Sequence, residues 1–208
     1  SAIKTVGGVP IPVEIGGDNL IDPEAIVNAI SERTVGIMPT QLNGRTCKMD
    51  EILSIANKYG LFVVEDAAPG IGSKIGDRLT GNFGDVSAFS FQGAKPLATG
   101  EGGMITTNDT ALAEKCASMR ARGLDIKAGY EIFNELGTNQ RVTEVQALMG
   151  LSQLKHLNEF VAHRNKVANA YTKCLRPLEK TRTVRLLEVN RKRVTHAYWR
   201  YIIFLTNG

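Results

Sequence analysis

At 208 residues and 43% hydrophobic composition, the chain can bury a core as one domain, or as one domain with part of another. Its formal charge is only +4, and no run approaches the roughly 20 apolar residues of a membrane helix. The opening "SAIKTVGGVPIPVEIGG" has neither a basic segment feeding an apolar core nor a small-residue cleavage site, so no membrane is expected and the cytoplasm is the expected compartment.

In chain order, apolar strand-like runs alternate with amphipathic helices. After the extended "VPIPVEI", Asp22 caps a helix with Pro23 at its first position and Ala25, Ile26, Ala29 and Ile30 on one face. "VGIMPTQL" reads as a strand. Met49, Ile52, Leu53, Ala56 and Tyr59 recur at helical spacing up to Gly60, a helix stop, and "LFVVEDAA" is then a buried strand ending in two carboxylates. Strand, helix and strand at this spacing predict a parallel sheet.

Next come a hairpin around Gly76-Asp77, a strand in "DVSAFSF", a strand in "GMITTND" and a helix in "TALAEKCASMRARG". Residues 124–142 read as irregular. Thr143 and Gln146 form a capping-box pair opening one long helix, which Arg176-Pro177 closes. Its apolar positions Val145, Leu148, Met149, Leu157, Val161 and Tyr171 are expected to be core contacts. "AYWRYIIFLT" reads as a strand without partners, the beginning of a second domain.

Cys47, Cys116 and Cys174 are widely separated and form no CxxC, which predicts reduced thiols. His156, His163 and His196 form no HExxH, so they are expected at the surface and no metal is predicted. Late basic residues (Lys180, Arg182, Arg185, Arg191, Lys192, Arg193 and Arg200) could meet nucleic acid or an anionic substrate. Without a nucleic-acid-binding signature they are read as a solvated face, and no nucleic acid is expected.

The chemistry centres on Asp66 and "SFQGAKPLATGEGG" at residues 90–103. Asp66 ends a buried strand, and ligands of open parallel sheets bind at strand carboxyl ends. A Walker B role needs a GxxxxGK[ST] that the chain lacks, and "GIGSKIG" mimics a dinucleotide fingerprint but precedes a hairpin rather than a helix. Pro96 disfavours helix at Lys95 and puts that lysine in a loop. A strand-end acid, a loop lysine and Ser90 between them suit pyridoxal phosphate: an amine for its aldehyde, an acid for its ring nitrogen and a hydroxyl for its phosphate.

The stretch "VVEDAAPGIGSKIGDRLTGNFGDVSAFSFQGAKPLATGEGGMITTND", with "GTNQRVTEVQALMGLSQLKHL" after it, resembles the DegT/DnrJ/EryC1/StrS family of sugar aminotransferases. The resemblance implies an α/β fold, the large domain of PLP-dependent transferases of the aspartate aminotransferase type (fold type I), with a mostly parallel sheet. Residues 1–155 would be part of that cofactor-binding domain, and 156–208 a linking helix and the start of a small C-terminal domain. Lys95 would carry the cofactor, Asp66 would partner its ring nitrogen, Ala68 would pack on the ring face and Ser90 would bind the phosphate. Asn139, in a Gly-x-Asn-x-Arg pattern, would reach the phosphate of a neighbouring subunit's cofactor, which implies a homodimer.

Pro69 stands where the family usually has glutamine, and Gln92 where it often has His, Tyr or Phe. The family's phosphate loop and ring-stacking aromatic would lie upstream of Ser1, and most of the small domain beyond Gly208, so the chain reads as an internal piece of a longer enzyme. The implied reaction transfers an amino group from L-glutamate to a nucleotide-linked keto-sugar. Relatives that aminate cyclitols or make an aminobenzoate are alternatives, as is a non-catalytic binding or scaffold module. The family's sugar dehydratases have histidine in the lysine's place, and Lys95 speaks against that branch.

Overall fold

The computed structural model describes residues 1–125, 127–128, 132–187 and 193–206. A short exposed helix, α1 (Ala2–Thr5), leads to α2 (Pro23–Ala29), where the Asp22 carboxylate accepts the Glu24 N–H at 3.2 Å. Pro23 occupies a position whose N–H has no helical partner, so its ring costs the helix nothing. Strand β1 is only Gly36–Ile37, because Pro39 has no N–H for the next ladder bond; the parallel pairing resumes at Thr40 opposite Asp66. Helix α3 (Met49–Tyr59) ends on Gly60 at φ +65°, a left-handed stop that glycine adopts without steric cost.

Strand β2 (Phe62–Asp66) lies parallel to β1. Leu20, Ile26, Ile37, Met49, Ile52 and Val63 are buried together where α2 and α3 cover this part of the sheet. The hairpin forms as expected, β3 (Lys74–Ile75) against β4 (Arg78–Leu79). Strand β5 (Val86–Ser90) pairs parallel with β2, and β6 (Gly103–Thr106) antiparallel with β5, giving the order β1-β2-β5-β6. The sheet is therefore mixed and mostly parallel, as the α/β reading requires.

The second half departs from the sequence reading. After α4 (Thr110–Arg120) the expected single helix is two, α5 (Glu144–Leu154) and α6 (Leu157–Lys180). Thr143 and Gln146 do form the capping box. At the break each helix is tied to a different part of the chain: the Gln153 side chain bonds both backbone groups of Ala98, while Leu157 and Val161 lie over Gly72. Pro177 lies inside α6, not at its end; the helix continues past it to Lys180, and Glu179 in that last turn accepts the Leu186 N–H at 2.9 Å.

Of the six apolar positions expected in the core, Val161 is buried, whereas Val145, Leu148, Met149 and Tyr171 are exposed, and α5 buries no residue. "AYWRYIIFLT" becomes a strand only at β9 (Ile203–Leu205), following β7 (Val184–Leu186) and β8 (Val194–Thr195). It has a partner after all: β9 pairs with β7, and β8 adds a third strand to the β3–β4 hairpin. Of the basic cluster, Arg191 and Lys192 lie outside the described residues. Arg185 donates to the Gly17 carbonyl and lies over Phe204, so it is engaged rather than merely solvated.

Candidate active site

Strand alternation sends Glu65 and Asp66 to opposite faces. Glu65 is fully buried and accepts from Gln41 Nε2, Ser87 Oγ and the N–H groups of Gly81 and Phe83, at 2.8–3.1 Å. It is a structural carboxylate. Asp66 is half-buried: its Oδ2 accepts the Thr40 hydroxyl at 3.0 Å and its Oδ1 the Ala68 N–H at 3.1 Å. Thr40 can reach it because residues 39–41 continue the parallel pairing alongside the strand end.

Ser90 ends β5, the parallel neighbour of β2, so its hydroxyl and the Asp66 carboxylate share the carboxyl edge of the sheet. The chain then turns: Ser90 Oγ accepts the Gln92 N–H, Gln92 Oε1 accepts the Ala94 N–H, and the Lys95 N–H bonds back to the Gln92 carbonyl. Lys95 is thereby in a loop, as Pro96 requires. Burial lowers the Lys95 amine below its ordinary value of 10.5; the Asp66 carboxylate raises it, and the Arg200 charge lowers it further.

The other side of the amine is formed by residues that sequence reasoning missed. Lys95 Nζ lies 4.0 Å from the Trp199 ring centroid, and the indole Nε1–H donates to the Ala94 carbonyl at 2.7 Å. Arg200 lies over the same indole at 4.2 Å. The segment carrying them is fixed to the body: Ala197 N–H reaches the Gly44 carbonyl and Ser73 Oγ, and Arg164 donates to the Tyr198 carbonyl at 3.0 Å. No spacing rule connects positions 95 and 199; the one usable signal was that Trp199 is the chain's sole tryptophan.

Trp199 and Pro96 also line a cavity of about 600 Å³ against α6, but Lys95 and Asp66 do not, so the candidate chemistry lies outside that cavity. Asn139 is not brought to the cluster. It pairs with Ala121, and its Oδ1 accepts Arg141 Nε at 3.1 Å. Pro69 is buried and Gln92 exposed. His196, expected at the surface, is buried because its Nδ1 accepts the Thr46 N–H at 3.0 Å, a contact made across 150 positions. Among the described residues, no group of three or more His, Cys, Asp or Glu side chains could hold a metal ion, and no helix is long and apolar enough to cross a membrane.

The chain as a whole is similar to known proteins. The chain is 38% identical over its full length to GDP-perosamine synthase of Caulobacter vibrioides, of which it covers 55%. An aminotransferase structure from Psychrobacter cryohalolentis superposes with a TM-score of 0.94 at 30% identity, over 98% of this chain and 55% of that one. NtdA from Bacillus subtilis, solved with bound cofactor PMP, gives 0.87 at 31% identity, over 98% of this chain and 46% of its own. The chain thus spans about half the length of the relatives it matches. With the family's sequence pattern matching residues 1–208, the chain belongs to the DegT/DnrJ/EryC1/StrS aminotransferase family.

Proposed function

We infer that the chain is part of a pyridoxal-phosphate-dependent aminotransferase that converts a nucleotide-linked keto-sugar to an amino-sugar, with L-glutamate as donor, in the cytoplasm. The observation that carries this reading is the Lys95 amine, lowered by burial and drawn by the Asp66 carboxylate at the carboxyl edge of a parallel sheet. An amine, a carboxylate and a hydroxyl match the cofactor's aldehyde, ring nitrogen and phosphate, so the residues present fit the group. A relative named for synthesis of GDP-perosamine supports a nucleotide-linked sugar.

Pyridoxal phosphate, when bound, supplies an electron-accepting ring and an aldehyde carbon that carries the amino group between donor and acceptor. Lys95 would hold it covalently. Once released, Lys95 Nζ would carry the proton from the donor's Cα to the cofactor and, in the second half, from the cofactor to the sugar carbon being aminated. Asp66, oriented by Thr40 and the Ala68 N–H, would keep the ring nitrogen protonated. Ala68 would pack on the ring face and Ser90 would bind the phosphate.

Asn139 would serve the cofactor of a second subunit in a homodimer, for which the exposed Val145, Leu148 and Leu151 of α5 offer an apolar face. We read residues 1–155 as part of the cofactor-binding domain and 156–208 as a linking helix and the start of a smaller one. The break between α5 and α6 falls at that boundary.

The test is borohydride trapping with added pyridoxal phosphate, followed by peptide mapping, beside Lys95→Ala. A saturable adduct confined to Lys95 is expected, with L-glutamate-driven conversion as the next assay. No saturable adduct on the wild-type chain makes it a non-catalytic module and overturns the reading for these 208 residues.

A further inference from the structure

Beyond the residues that would touch the cofactor, one side chain acts on the lysine itself. Trp199 meets the lysine loop at two separated points, the backbone of Ala94 and the end of the Lys95 side chain. We propose that Trp199 is the positioning residue of Lys95, its indole N–H fixing the loop backbone and its ring face holding the ammonium. The proposal rests on Lys95 being the reactive amine.

The indole can do this because its own backbone is fixed on several sides. Tyr198 has a φ of +48°, in the left-handed region that a bulky residue occupies only when its surroundings impose it. Those surroundings are the Arg164 bond to the Tyr198 carbonyl, the Ala197 bonds to Gly44 and Ser73, and the Arg200 N–H on the Asn43 carbonyl at 3.2 Å. An indole has only two side-chain torsions, so it transmits this placement to the amine with little loss. A cation over an aromatic face is attracted by the ring quadrupole. Arg200, drawn to the same ring, keeps a second positive charge near Lys95 and favours its neutral form.

Trp199 fluorescence reports the contact directly, since the chain has no other tryptophan. The charged groups acting on Lys95 are Asp66 and Arg200, and the nearby titrating phenols are Tyr198 and Tyr201. Emission is expected to change as pH rises through the Lys95 titration, with a midpoint below 10.5. The change should vanish in Lys95→Met and move to higher pH in Arg200→Gln. A change of wild-type size persisting in Lys95→Met belongs to the tyrosines and overturns the proposal, as does a wild-type emission profile that matches that of Lys95→Met at every pH.

The second arm measures trapping of pyridoxal phosphate at Lys95. Trp199→Leu should slow it about tenfold, and Trp199→Phe, which keeps a ring but loses the N–H, by less. An unchanged rate in Trp199→Leu overturns the positioning role. If the wild type forms no adduct, the aminotransferase reading fails, while the fluorescence arm still decides whether the indole holds the amine.

Discussion

Glu65 and Asp66 are adjacent and chemically almost identical, yet one is buried as a hub of hydrogen bonds and the other lies at the candidate site. The alternation that separates them was legible; which of the two would be buried was not, because Gln41, Gly81, Phe83 and Ser87 come from three other stretches of chain. Glu65→Gln places an amide donor against groups that are themselves donors, and should destabilise the fold by about 3 kcal/mol. A denaturant midpoint within error of wild type would contradict that. Lys95 has the opposite sensitivity. Its amine is lowered in the fold, so the protonated form opposes folding, and that penalty fades as pH rises from its folded value to 10.5. Adduct formation should accordingly follow a pH profile centred below that of an exposed lysine, measured by initial trapping rates.

Elements defined by local signals came out as the sequence reading had them: Asp22-Pro23 starting α2, Gly60 ending α3, and the Thr143–Gln146 box opening α5. What sequence could not show were features decided by distant partners, such as the interruption between α5 and α6, the β7–β9 pair, and β8 completing the β3–β4 hairpin. Two glycines mark the difference. At Gly60 an added Cβ meets open space, so Gly60→Ala pays only for the left-handed backbone, about 1 kcal/mol. At Gly44, φ +77°, the same atom would lie 2.5 Å from the Trp199 backbone nitrogen. Gly44→Ala should therefore cost about 3 kcal/mol and push residues 197–200 outward, changing Trp199 emission where Gly60→Ala leaves it alone. Equal thermal shifts and equal spectra for the two variants would contradict this account.

Across the whole molecule, burial is uneven. The core lies under α2 and α3, whereas α4 and α5 bury no residue and Met104 and Ile105 of β6 are about half exposed. Apolar surface of this kind is what the proposed homodimer would cover. A Leu148→Glu, Leu151→Glu double variant should leave stability nearly unchanged, since both side chains are exposed, yet abolish self-association in sedimentation velocity. A wild-type chain that sediments as a monomer at micromolar concentration would remove the argument. The Trp199 grip has a further consequence, in time rather than in space. The bond from Trp199 to Ala94 spans 105 positions. At roughly 5–20 residues per second, a ribosome takes about 5–20 s to deliver the indole after the loop. The loop is thus synthesised well before the indole that lies against it, so the contact between Trp199 and the lysine loop forms among the last in this chain.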